Sequence, residues 1–200
     1  MIPNVPLVPS VPSVTSRPLG VRVALALAGA LAVAAAAQIA IPVPGSLVPF
    51  TLQPLAVLIV GGLLGPRLGA LSLVLYLGMG AAGLPVFAPI GLPGFARLIG
   101  PTGGFLLAFP LAAWAVGRYG GMAVNTAPDA ATALPPYRRT ALACLLGMAI
   151  IFAGGIAQLS LIAPDRVTAM ITPFLAADLV KALLAGAVIQ RFAPKIRALS

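Results

Sequence analysis

Apolar residues fall in six long runs, near residues 22–41, 50–65, 67–85, 100–117, 140–163 and 171–192, separated by shorter stretches rich in Gly, Pro or charge. An apolar helix of about 20 residues matches the roughly 30 Å hydrocarbon layer of a bilayer. The pattern therefore predicts an all-α integral membrane protein with six transmembrane helices and short connections. The second run is short for a span, so it tilts little or begins as irregular backbone lining a cavity. Gly65–Pro66–Arg67 predicts a tight turn between the second and third runs, because Pro cannot continue a helix and Gly relaxes the chain. The longest polar stretch, residues 118–139, carries Asn125, Pro128, Asp129, Pro135, Pro136, Arg138 and Arg139 and reads as a loop.

The flanks differ from this body. Residues 1–21 hold Pro3, Pro6, Pro9, Pro12 and Pro18 and read as an extended tail, since proline removes backbone donors and blocks helix. The run from Val23 to Ala37 resembles the apolar core of a signal peptide, but it continues to Ile41 and reaches spanning length, so it is read as a retained span. Residues 22–192 form the membrane domain, and residues 193–200 read as a short basic tail.

Composition narrows the class. Only 8% of the 200 residues are charged, too few to cover a soluble domain. The net charge of +9 would point to nucleic acid in a soluble chain, but nothing here resembles a nucleic-acid site. With the N-terminus inside, nine Lys and Arg fall on the cytoplasmic side, only Arg97 and Arg166 fall outside, and Lys181 lies within the last run. That asymmetry favours an even number of spans with both termini cytoplasmic. One cysteine, Cys144, and no His leave no metal set and no disulfide within the chain.

Charges at bilayer depth cost at least about 2.5–3.5 kcal/mol and tend to face a cavity or a partner. Asp178 and Lys181 are three residues apart in the last run, on one helix face, with Pro173 expected in the first turn of that helix. They form either a self-neutralising pair that tolerates burial or a ligand site offering an acceptor beside a donor. Arg97 lies in the Gly- and Pro-rich stretch Gly91–Leu92–Pro93–Gly94–Phe95–Ala96–Arg97. It is either a lone outer arginine or a fork for a ligand carboxylate. Thr51 and Gln53, at the start of the second run, face a ligand or serve local turn chemistry. Tyr76 and Trp114 read first as core or interface aromatics, and Tyr76 is retained as a candidate binding residue. Ala24, Ala28, Ala32 and Ala36 recur every four residues and make a smooth ridge that another helix can approach.

No Walker-type Gly-x-x-x-x-Gly-Lys-Ser/Thr occurs, and there is no Glu, no His and no nucleophile–base pair. A binding subunit is expected rather than an enzyme, with no cofactor.

The runs Thr51–Leu52–Gln53–Pro54, Gly61 to Gly69 (GGLLGPRLG), Gly83–Leu84–Pro85–Val86–Phe87, Leu98–Ile99–Gly100–Pro101–Thr102–Gly103–Gly104 and Pro173–Phe174…Asp178–Leu179–Val180–Lys181 together resemble the BioY family. The resemblance covers roughly residues 20–192. It implies a biotin-binding S-component of an energy-coupling factor (ECF) transporter in a bacterial inner membrane. Six helices would hold biotin near the outer face and pair with a T-component and ABC-type ATPases. It also implies that Asp178 and Lys181 meet the ureido group and Arg97 the valerate carboxylate, with the Lys and Arg roles exchangeable. The Ala24–Ala36 ridge would contact the T-component. Two rivals stand beside this reading: a proton-coupled secondary transporter of biotin or another small vitamin with Asp178 as proton carrier, and a non-transporting membrane scaffold. Low aromatic content, 6%, argues against thiamine or riboflavin as ligand.

Overall fold

A computed structural model describes residues 18–120 and 136–198. The tail over residues 1–17 and most of the polar loop, residues 121–135, lie outside this description. The fold is mostly helical, with helices α1 (Leu19–Gln38), α2 (Gln53–Ala81), α3 (Ala96–Ile99), α4 (Gly103–Tyr119), α5 (Pro136–Ile162) and α6 (Val167–Ala198). A two-residue antiparallel ribbon pairs β1 (Ala40–Ile41) with β2 (Phe50–Thr51). Four helical stretches are long and apolar enough to cross a membrane: Leu19–Gln38, Gln53–Ala81, Tyr137–Ile162 and Pro164–Ala193. The chain is a membrane protein. Helix α1 starts directly behind Pro18, inside the stretch read as tail, and α6 runs on to Ala198 through most of the stretch read as a basic tail. Helix α4 has 17 residues, about 26 Å at 1.5 Å per residue.

Helix α2 is two arms. Gly65 breaks it with φ 79° and ψ 178°, a conformation open essentially to glycine alone. Pro66 then starts the second arm, where its missing N–H costs nothing. The arms fold back on each other: the Gln53 amide reaches the Tyr76 hydroxyl at 2.5 Å, whereas 23 residues of straight helix would part them by about 35 Å. The turn expected at Gly65–Pro66 is thus a helical hairpin. Its first arm, residues 53–64, is about 18 Å long, which is why the second run is too short for a full span. Gly65→Ala forces a side chain into this backbone at a cost of about 1–3 kcal/mol. Thermal unfolding in detergent should show a lowered midpoint, and an unchanged midpoint would refute the strain.

The hairpin packs mainly against α4, while α1 leans on α2 and α5 joins α4 to α6. Val57, Leu73, Tyr76, Phe109, Ala112 and Ile151 belong to the main core. Gln190 donates to Thr140 near the start of α5, and Ile189 lies against Gly62 close to the bend, so α6 ends at the Gly65 end of the bundle. Helix α1 passes Leu64 and Ser72 at Gly29 and reaches the Phe87 carbonyl with Gln38. Its start therefore lies at the Gly65 end as well. The ribbon, α3 and the α5–α6 turn gather at the other end.

Candidate ligand-binding site

Helix α6 carries the first polar group of the site. One helical turn sets Lys181 above Asp178, and Lys181 Nζ lies 2.6 Å from Asp178 Oδ1 with both residues buried. The same ammonium donates to the Thr51 carbonyl at 2.7 Å and stands 3.6 Å from the centre of the Phe50 ring. A buried lysine is thereby matched by a carboxylate, a carbonyl and a ring face. It also ties α6 to the ribbon across 130 residues of sequence. Among the described residues no donor other than Lys181 reaches Asp178, so one carboxylate oxygen stays open as an acceptor. Pro173 lies six residues into α6, not in its first turn, because the helix begins at Val167.

The second group is Arg97, on the four-residue helix α3 and only 4% exposed. Its Nε donates to the Leu92 carbonyl at 2.6 Å, Nη1 to Ile90 at 2.7 Å and Nη2 to Ala88 at 2.7 Å. Segment 88–92 thus wraps the guanidinium with alternate carbonyls. Gly91 permits the wrap: its φ is +110°, and a Cβ there would stand 3.1 Å from Nη1. A guanidinium has five N–H donors, so one remains on each terminal nitrogen. No carboxylate lies within 4 Å of it among the described residues, where the one ion pair is Lys181–Asp178. Burial lowers the Arg97 pKa from its ordinary value, and the Tyr76 phenol opposes that; an arginine stays charged nonetheless. Arg97 is a buried cation without a protein anion, and part of the fork expected for a ligand is spent on the loop.

Both groups line one cavity, together with Thr51, Gln53 and Thr102. Tyr76 does not line it. This candidate is fully buried one layer behind, bonded to Gln53 and edge-on to Phe87 at 5.4 Å. Its ring lies in the hairpin core.

The apolar wall is more aromatic than composition suggested. Phe87, Phe105, Phe109, Phe152 and Phe174 line the cavity, five of the eight Phe in the chain. A low overall aromatic content therefore does not argue against stacking. Their placement beside the polar motifs, as in Gly104–Phe105 and Phe174…Asp178, was the available signal. Gln158 of α5 also escaped the sequence reading; its amide donates to the carbonyls of Leu98 at 3.1 Å and Gly100 at 2.7 Å. On α1, Ala24, Ala28 and Ala32 are exposed and Ala36 is half-buried, and none of the four lines the cavity.

A cavity walled by phenylalanine, with an unmatched cation and a half-used carboxylate in its lining, defines a helical membrane protein built to hold a small polar ligand between its helices. The BioY family model matches residues 12–198, and the chain belongs to the BioY family. The biotin transporter BioY of Thermotoga maritima is 33% identical over 155 residues, 76% of this chain and 84% of that one. The biotin transporter BioY of Rhodobacter capsulatus is 35% identical over 162 residues, 77% and 83% of the two chains. The chain spans less of two other BioY relatives, 43% of the Pyrococcus horikoshii protein and 39% of the Lysinibacillus sphaericus protein. The fold is similar to the crystal structure of an S-component for biotin from an ECF-type ABC transporter. The TM-score is 0.74 at 22% identity, covering 90% of this chain and 95% of that one.

Proposed function

We propose that this protein captures biotin as the substrate-binding subunit of an ECF-type uptake transporter. The observation that carries the reading is Arg97, a buried guanidinium lining the cavity with two N–H donors left and no protein carboxylate within 4 Å. A ligand carboxylate supplies the missing charge, and charge-assisted pairing of this kind is the strong form of hydrogen bond. Charge balance also supports assigning the carboxylate to Arg97 and not to Lys181, whose charge Asp178 already meets. The open Asp178 oxygen then accepts from a ureido N–H, while Lys181 pairs with the other oxygen and holds Thr51 in place. The phenylalanine wall covers the ring and tail, as apolar pockets do.

The further parts of the reading follow the family. Six helical segments, counting both arms of α2 with the extended chain ahead of its short first arm, cross a bacterial inner membrane with both termini cytoplasmic. The membrane domain occupies residues 22–192. The ridge of Ala24, Ala28, Ala32 and Ala36 takes the T-component, and partner ATPases supply the energy that this chain has no motif to extract. Biotin transporters among the relatives support a role in uptake.

Mass spectrometry of the detergent-purified chain tests the reading. One biotin is expected per chain, replaced on incubation with labelled biotin. A chain that carries no biotin and takes none up from a micromolar solution would sink it.

A further inference from the structure

Arg97 is held firmly on one side only. Its three side-chain bonds all run to residues 88–92, ahead of it in the chain. Behind it, α3 ends at Ile99 and the chain turns through Gly100 and Pro101 to Thr102, which lines the cavity. The end of so short a helix leaves carbonyls without helical partners. Gln158 donates to the Leu98 carbonyl of that end and to the Gly100 carbonyl just beyond it, which also accepts from the Gly103 N–H, from 60 and 58 residues away.

The fit around Gln158 is close. A Cβ on Gly103 would come within 2.6 Å of its amide nitrogen, and one on Gly104 within 2.7 Å of its Cβ. Gln158 also lies seven residues beyond Ile151, a cavity-wall residue of the same helix, and two helical turns place both on one face. It therefore ties the turn behind Arg97 to a helix that brings Ile151 and Phe152 to the cavity wall.

We infer that Gln158 is a positioning residue for the carboxylate end of the ligand: by capping Leu98 and Gly100 it sets the aim of the two free Arg97 donors and keeps Thr102 in the wall. It touches no ligand itself. The inference rests on the proposal that Arg97 receives the ligand carboxylate.

The test uses the full chain in detergent, titrated with biotin and with biotinamide, whose terminal group is neutral. Variants Gln158→Met and Gln158→Leu remove both donors while keeping most of the bulk. Wild type is expected to prefer biotin. Each variant should lose roughly tenfold in biotin affinity, the scale of one hydrogen bond to a charged group, and less than threefold for biotinamide. In an Arg97→Gln background the Gln158 substitutions should change neither affinity further. The ratio of the two affinities is independent of the fraction of protein that is folded, so a general loss of stability does not mimic the effect.

Equal losses for both ligands, or an undiminished preference for biotin in both variants, would overturn the inference. So would failure of both variants to fold, which would make Gln158 a residue of folding alone. If wild type itself binds biotin and biotinamide equally, the Arg97 assignment fails first, and the two failures are told apart.

Discussion

Asparagine at position 178 is expected to weaken biotin binding by roughly tenfold to a hundredfold, the worth of a hydrogen bond to a charged acceptor. The substitution keeps the shape of the side chain and removes its charge. The open oxygen of Asp178 becomes a poorer acceptor or is replaced by a donor that repels a ureido N–H. Lys181 then stays buried against Thr51 and Phe50 without its carboxylate. Breaking one side of a buried pair costs about 3–5 kcal/mol, so the unfolding midpoint should fall together with the affinity. The double variant Asp178→Asn, Lys181→Met removes both charges and should regain part of that stability while leaving binding lost. Calorimetric titration beside thermal unfolding reads both effects. Retained affinity in Asp178→Asn would remove Asp178 from the site.

The Arg97→Ala variant is expected to lose at least about a hundredfold in biotin affinity, because the carboxylate of a bound ligand is then buried with no cation, at several kcal/mol. Biotinamide binding should fall much less. Arg97→Lys should be intermediate. A point charge can meet the carboxylate but cannot reach the carbonyls of Ala88, Ile90 and Leu92 at once, as the planar fork does. Titration of the three proteins with both ligands checks this. Equal weakening for biotin and biotinamide in Arg97→Ala would mean that the arginine serves the 88–92 loop alone.

What could be read from the sequence is what neighbours in the chain decide. Asp178 and Lys181 meet because one helical turn separates them. Gly65–Pro66 marks a reversal because only those residues suit the bend and the helix start behind it. Arg97 stood out because a charge in an apolar, Gly-rich stretch needs a partner. Contacts between distant segments left no such trace. The Thr51 carbonyl under Lys181, Gln158 under Gly100 and Gln53 beside Tyr76 join residues 130, 58 and 23 apart, and no periodicity encodes them. The ribbon at Ala40–Ile41 and Phe50–Thr51 has two residues a side, too few to show alternation. The Tyr76 hydroxyl accepts from the Gln53 amide within the hairpin, a pairing across the bend that no spacing in the sequence announces.

The short first arm of α2 has a consequence for the ligand's water. If the Gly65 bend marks one edge of the hydrocarbon layer, an arm of about 18 Å leaves Gln53 and Thr51 roughly 12 Å below the other edge, in a layer of about 30 Å. A vitamin arriving there has shed most of its hydration shell before it meets the cavity's polar groups. Each polar atom it brings must find a replacement among Asp178, Lys181, Arg97, Thr51, Gln53 and Thr102, or carry its dehydration cost of about 1–3 kcal/mol unrelieved. Selectivity against analogues with one extra hydroxyl or amide then arises from water that the site cannot give back.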